Sequence, residues 1–126
     1  MNRKRILSVA VFLGIATASI ASAQAGCAVA GRYMAKGQLT GASNVYKGEV
    51  IIKDQDGGCF VRWLPPNTSS GVGTYADGVL TMNYVLGGKP GVVRYERSGD
   101  GVMEGSFWPQ GHPTQIQGVE TLTPID

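Results

Sequence analysis

After an apolar N-terminal segment, the chain consists of short runs in which apolar and polar residues alternate. A period of two places successive side chains on opposite faces of a β-strand. Turn sequences such as Asp77-Gly78 separate the runs and supply the positive φ that tight hairpin turns need. The predicted strands are Gly31 to Gly37, Asn44 to Asp54, Cys59 to Leu64, Gly71 to Ala76, Val79 to Val85, Val92 to Arg97, Val102 to Trp108 and Ile116 to Thr123. No run has an apolar period near 3.6, so no long helix is expected after the N-terminal segment.

The alternation also assigns one face of each strand to the core. In the second strand Tyr46, Val50 and Ile52 share a face, whereas Lys47 and Glu49 share the other. The same rule predicts these further inward residues: Tyr33, Ala35, Gly48, Cys59, Val61, Trp63, Leu80, Met82, Tyr84, Val93, Tyr95, Met103, Gly105 and Phe107. Short strands in hairpin succession, each with one polar face, predict an all-β fold. We expect a single small eight-stranded antiparallel up-and-down barrel of the calycin-like kind, or a closely related sandwich.

The N-terminus has the three zones of an export signal. A basic run from Asn2 to Arg5 precedes an apolar segment from Ile6 to Ile20, and the small residues Ala21-Ser22-Ala23 follow. This order is typical of a cleaved signal peptide, and the apolar segment is shorter than the roughly 20 residues of a membrane span. We therefore predict a signal peptide over 1–23 and a single β-barrel domain over 24–126. The mature chain is expected to be exported to the periplasm or outside the cell, monomeric and without a transmembrane segment.

Two interpretations are open for Cys27, which lies shortly after the predicted cleavage site. Gly26 and Ala25 suit a lipidation site, but Gln24 is polar where such a site has an aliphatic residue. The chain has one other cysteine, Cys59, and an even number of cysteines in an exported protein favours a disulfide. We predict a Cys27 to Cys59 disulfide, with a lipoprotein anchored at Cys27 as the alternative.

Removal of the predicted signal changes the sign of the net charge. The full chain has 11 basic and 9 acidic residues. Arg3, Lys4 and Arg5 leave with the signal, so 8 basic residues remain against 9 acidic ones, a net charge of −1. Nucleic-acid binding needs clustered Lys and Arg. The mature chain has no such cluster, and nucleic acid is therefore not an expected partner.

The order of short motifs along the strands gives a further comparison. The motifs are G-x-Y at Gly31 and Tyr33, Y-x-G-x-V-x-I from Tyr46 to Ile52, V-x-W at Val61 and Trp63, G-x-G at Gly71 and Gly73, L-x-M-x-Y from Leu80 to Tyr84, Tyr95, D-G-x-x-E-G from Asp100 to Gly105, and G-x-E-x-L-x-P from Gly118 to Pro124. This succession resembles a family of small exported bacterial proteins labelled fibronectin-binding. The resemblance implies an extracellular protein partner such as fibronectin. The family has Gly-x-Trp in the seventh strand, whereas here Phe107 holds that place and Trp108 follows, on the other face.

Residues able to carry catalytic or metal chemistry are sparse. The single histidine, His112, lies in a predicted turn with no Cys, Asp or Glu at ligand spacing. Glu96 and Glu104 lie on neighbouring strands, as the carboxylate pair of a glycoside hydrolase would, but parity places both on the outer face. We therefore expect a protein that is not an enzyme and that uses no metal and no cofactor.

Glu120 is the acidic residue expected on the inner face, because it shares its parity with Ile116, Gly118 and Leu122. A buried carboxylate must be paired, hydrogen-bonded or neutral. A structural network and a ligand-orienting role both fit this position, and a wrong assignment of faces is the third reading.

Three functions fit these observations. The expected function is that of a non-enzymatic extracytoplasmic binding or adhesion module that presents loops to a protein. One alternative is a small-ligand carrier in the manner of lipocalins, whose eight-stranded barrels hold one small ligand, with the inward aromatic residues as a stacking pocket. The other is an inhibitor of an exported protease, with the loop from Leu64 to Ser70 as its inserting element.

Candidate binding residues lie at one end of the predicted barrel. In an up-and-down meander the connections Thr40 to Asn44, Pro65 to Ser70, Leu86 to Gly91 and Pro109 to Gln115 share one rim. Longer loops on a rigid scaffold concentrate binding residues, and tryptophan is enriched among interface hot spots. The candidate binding residues on this basis are Trp108, the preferred exposed anchor, together with Trp63, Asn67 and His112.

Overall fold

The computed structural model describes residues 26–125 of the chain, which form a closed antiparallel barrel. Each strand pairs with the next one along the sequence, and the last pairs with the first. The strands are β1 (Gly31–Leu39), β2 (Tyr46–Gln55), β3 (Gly58–Trp63), β4 (Ser69–Ala76), β5 (Val79–Leu86), β6 (Lys89–Arg97), β7 (Met103–Pro109) and β8 (Gly118–Pro124). The predicted up-and-down barrel is therefore confirmed, and the sandwich alternative is wrong.

Two predicted strand starts differ from the structure for local reasons. Gly87 and Gly88 both have positive φ and form a two-residue turn. The pairing of β5 with β6 therefore extends to Leu86 and Lys89, and β6 starts earlier than the predicted Val92. Ile116 was predicted inside the barrel, but it lies in the loop before β8 and is 40% exposed. Strand β8 starts at Gly118 instead, and the inward parity begins there.

The inward face fills most of the barrel with close-packed apolar side chains. The residues without solvent exposure include Val50, Val61, Leu80, Met82, Tyr95, Met103 and Leu122. All of them except Leu122 belong to the inward set predicted above, and Leu122 shares the parity of Glu120. The period-two pattern was therefore sufficient to assign the faces of these strands.

One end of the barrel is closed by the segment that precedes β1. Cys27 and Val29 are buried in the core cluster, and the Tyr33 hydroxyl donates a hydrogen bond to the Val29 carbonyl over 2.6 Å. A disulfide joins Cys27 to Cys59 at the start of β3, which confirms the predicted pairing. Because its sulfur is bonded to Cys59, Cys27 has no thiol to receive a lipid. The predicted signal peptide over 1–23 lies outside the described residues.

The loops predicted to share a rim lie together at the opposite end, which we call the mouth. Alternating strand directions bring the connections after β1, β3, β5 and β7 to this end. The connection after β5 is only the tight Gly87-Gly88 turn, whereas the other three are longer. Between residues 26 and 125, no helix is long and apolar enough to cross a membrane.

Replacing both cysteines with serine should lower the free energy of unfolding by roughly 3 to 4 kcal/mol. The bridge joins residues 32 positions apart, and cutting it restores conformational freedom to the unfolded chain. Urea unfolding followed by circular dichroism measures the change. A double variant with the stability of the native protein would show that the disulfide does not stabilise the barrel.

Candidate functional site

A cavity of about 280 Å³ opens at the mouth of the barrel. Its volume lies just below the roughly 300 to 1,000 Å³ that is usual for small-molecule sites. Aromatic and aliphatic side chains make up most of the lining, and four polar side chains complete it. The lining residues are Leu39, Ala42, Asn44, Tyr46, Trp63, Asn67, Ser69, Tyr84, Leu86, Val93, Tyr95, Phe107 and Glu120.

Glycines opposite the aromatic residues explain why this half of the barrel is not filled. Four inward aromatic residues are each paired directly across the sheet with a glycine: Tyr46 with Gly37, Tyr84 with Gly91, Tyr95 with Gly105, and Phe107 with Gly118. A Cβ atom on any of the four glycines would come within 2.3 to 2.7 Å of the facing ring. Each ring therefore lies against the bare backbone of its neighbouring strand, which leaves space at the barrel axis.

The carboxylate of Glu120 lies at the base of this space and is 6% exposed. Its Oε1 accepts hydrogen bonds from Trp63 Nε1 over 3.0 Å and from the Tyr95 hydroxyl over 2.5 Å. Its Oε2 accepts one from the Tyr46 hydroxyl over 2.8 Å. The three donors come from β3, β6 and β2, and none of these strands is a sheet neighbour of β8. The carboxylate thus links four strands through the barrel interior.

Two glycines beside Glu120 make this convergence possible. Glu120 pairs with Gly37 on β1 and with Gly105 on β7, and these are the same glycines that face Tyr46 and Tyr95. The inner surface therefore carries a row of five residues on five adjacent strands, Tyr46, Gly37, Glu120, Gly105 and Tyr95, which we call the Glu120 row. Each tyrosine reaches over a glycine to the carboxylate.

The hydroxyl groups around Glu120 are held in their neutral form. Burial raises the pKa of Tyr46, Tyr84 and Tyr95 above the usual 10.0, and the negative charge of Glu120 raises it further. These tyrosines therefore remain neutral at physiological pH, and Tyr46 and Tyr95 remain hydrogen-bond donors to the carboxylate. Trp63 contributes a second contact, because its ring meets that of Tyr84 edge to face with centroids 5.8 Å apart.

The structure divides the residues predicted for binding into two groups. Trp63 and Asn67 line the cavity, and Glu120 lies on its predicted inward face. Trp108 follows the inward Phe107 and pairs with Val92, so it lies on the outer face, where it is half-buried. His112 is exposed in the loop between β7 and β8. Trp108 and His112 are thus separate from the cavity.

Sequence reasoning placed Gly105 and Gly118 on the inner face, but it did not identify which aromatic residue each glycine of the site faces. The pairing of Tyr84 with Gly91 could have been predicted from the sequence. A two-residue turn at Gly87-Gly88 sets the register of the hairpin and places these two residues opposite each other. The pairing of Tyr46 with Gly37 and of Phe107 with Gly118 spans longer loops, whose lengths do not fix the register.

The outer face carries the other acidic pair considered from sequence. Glu96 and Glu104 are directly opposite each other on β6 and β7, both exposed, and Glu96 forms an ion pair with Arg94 over 2.8 Å. Within the described part of the chain, no group of three or more His, Cys, Asp or Glu side chains is placed to hold a metal ion.

Fold and cavity together define the class of protein: a small up-and-down barrel, closed at one end and open at the other over an aromatic cavity. No protein-family model and no curated protein matches this chain. The geometry of the cavity therefore carries the functional argument.

Replacing Glu120 should show how much the fold depends on its hydrogen bonds. In Glu120→Leu, Trp63 Nε1 and the Tyr95 hydroxyl lose their acceptor in a buried setting, which should cost at least about 2 kcal/mol of unfolding free energy. Glu120→Gln should cost less, because its carbonyl oxygen still accepts from both groups and the Tyr46 hydroxyl can turn to accept from the amide. Urea unfolding measures both variants. A Leu variant as stable as the native protein would exclude a structural role for the carboxylate.

Alkaline pH should unfold the barrel cooperatively. Tyr46 and Tyr95 have raised pKa values in the folded state through burial, so their stabilising contribution is complete below about pH 10 and is lost as pH rises further. Urea unfolding at increasing pH should give a falling free energy of unfolding above about pH 10. The fall should be shallower in Tyr95→Phe than in the native protein. Equal slopes in the two proteins would show that Tyr95 does not contribute to the loss of stability at high pH.

Proposed function

We propose that this protein is a non-enzymatic exported binding protein that holds one small molecule in the mouth of its barrel. The observation that carries the proposal is the aromatic cavity of about 280 Å³, whose walls lie against glycines on the neighbouring strands. Elsewhere the barrel interior is filled mainly by buried apolar side chains. Close packing is the ordinary state of a protein interior, so an open, ordered cavity at one end favours occupation by a ligand.

The polar groups of the cavity support binding more than catalysis. The lining has one carboxylate, Glu120, and its oxygens already accept three hydrogen bonds. The tyrosines that surround it have raised pKa values because they are buried, and they are poor proton donors to a substrate for that reason. A few fixed polar groups among apolar walls are typical of sites that orient a ligand.

The adhesion role expected from the sequence, with fibronectin as a suggested partner, stays a prediction, as does protease inhibition by the loop from Leu64 to Ser70. In the structure Asn67 of that loop lines the cavity, which favours a role at the ligand entrance. Direct titration with fibronectin tests the adhesion role independently of the cavity.

The two tryptophans of the chain provide a direct test of the proposed site. Nitrobenzene, a neutral aromatic quencher of indole fluorescence, should quench Trp63 saturably when it occupies the cavity. Trp108 should be quenched only by collision, in linear proportion to concentration. The Trp108→Phe variant should therefore keep the saturable response, and Trp63→Phe should lose it. A saturable response that survives in Trp63→Phe, or no saturable response at all, would contradict the proposal.

Narrowing the cavity at one wall should weaken binding without unfolding the barrel. A methyl group at position 91 would lie 2.5 Å from Cζ of Tyr84, so Gly91→Ala should push that ring towards the cavity axis. We expect about tenfold weaker nitrobenzene binding, which corresponds to about 1.4 kcal/mol. Gly99→Ala is the matched control, because a Cβ there meets nothing within 4 Å. Equal affinities in the two variants would mean that the probe binds elsewhere.

A further inference from the structure

The charge of the cavity gives the chemical class of its ligand. Glu120 is the one carboxylic acid in the cavity lining, which has no Lys, Arg or His and otherwise consists of aromatic, aliphatic, amide and hydroxyl side chains. Among the described residues, the ion pairs join Arg32 to Glu49 and Arg94 to Glu96. All four of these side chains belong to the outer surface. Among residues 26–125, therefore, no positively charged side chain forms an ion pair with the Glu120 carboxylate.

The hydrogen bonds around Glu120 match an ionised carboxylate. Three groups donate to its two oxygens, and the indole N–H of Trp63 has no ability to accept in return. Oε1 takes two of the bonds and Oε2 takes one, so acceptor capacity remains on Oε2. Three neutral donors stabilise the charge but do not cancel it. A ligand that enters the cavity thus meets a negative charge at its base.

Aromatic side chains line the cavity together with this charge. Tyr46, Trp63, Tyr84, Tyr95 and Phe107 all line the same cavity. The face of an aromatic ring attracts a cation through its quadrupole, and groups of such rings recognise quaternary ammonium ligands. An anion in the same place would be repelled by Glu120. A neutral ligand would fill the space but would gain nothing from the carboxylate.

We propose that the ligand is a small organic cation whose ammonium group lies among the aromatic rings next to Glu120. This inference rests on the proposed function, because it assigns a chemical class to the ligand of the same cavity. The polar side chains of Asn44, Asn67 and Ser69 line the cavity as well and are suited to hydrogen-bond a hydroxyl or carbonyl group of the same ligand.

Choline and its neutral isostere dimethylbutanol, in which carbon replaces the ammonium nitrogen, separate the charge of the ligand from its shape. Isothermal titration calorimetry should give at least about tenfold tighter binding of choline. The preference should disappear in Glu120→Gln, which keeps hydrogen bonds to Trp63 and Tyr95. It should persist in Glu104→Gln, the matched control for an exposed carboxylate on the outer face. Thermal unfolding of both variants establishes that they are folded.

The outcomes of this titration test two claims separately: that the cavity binds a small molecule, and that this molecule is a cation. Equal affinities for choline and dimethylbutanol, or binding of dimethylbutanol or nitrobenzene without choline, would overturn the cation assignment and leave a small-molecule site standing. A preference for choline that persists in Glu120→Gln would overturn the role of the carboxylate. Absence of binding by all three probes would overturn the cation assignment and the proposed function together.

Discussion

The open half of the barrel depends on the Glu120 row, in which two tyrosines reach across glycines to one buried carboxylate. A carboxylate taken out of water is strongly destabilising unless hydrogen bonds replace its hydration. Tyr46, Trp63 and Tyr95 supply those bonds from three different strands. The rings of Tyr46 and Tyr95 lie against Gly37 and Gly105, and the cavity is the space that this arrangement leaves.

The two ends of the barrel differ in structure. At the closed end, the Cys27 to Cys59 disulfide and the buried Val29 seal the interior and belong to the apolar core cluster. At the mouth, aromatic rings lie against glycines and polar loop residues line the entrance. The closed end thus has the covalent cross-link, whereas the mouth has the cavity and a buried charge. Both of those features cost stability and are usual at functional sites.

Most of the fold was predictable because each strand repeats a simple rule. Period two identified the inner face from Tyr33 to Phe107, and glycine-containing turns such as Asp77-Gly78 marked the hairpins. The predicted start of β8 was wrong, because Ile116 continues the alternation in sequence but lies in the loop before the strand. Parity also placed Glu120 on the inner face, but it did not identify the hydrogen-bond partners of this residue. Its partners depend on the register of strands separated by long loops, and no local pattern specifies that register.

The site was predictable only in part, for a related reason. Trp63 and Asn67 were chosen because they lie next to a long loop, and both line the cavity. Trp108 was chosen as an anchor on the outer face, one position after the inward Phe107, and it lies on that face, separate from the cavity. The open cavity itself follows from four glycines that face four aromatic rings. Composition alone does not distinguish a cavity lined by these aromatic residues from a core that they fill.

The most direct measurement of the central claim is a nitrogen–proton correlation spectrum that resolves the two indole N–H signals during titration with choline. The Trp63 N–H donates to Glu120 and lies in the cavity, whereas Trp108 lies on the outer face. The account predicts a saturable shift of the Trp63 signal and a constant Trp108 signal. A Trp63 signal that does not move, or a saturable shift confined to Trp108, would contradict it.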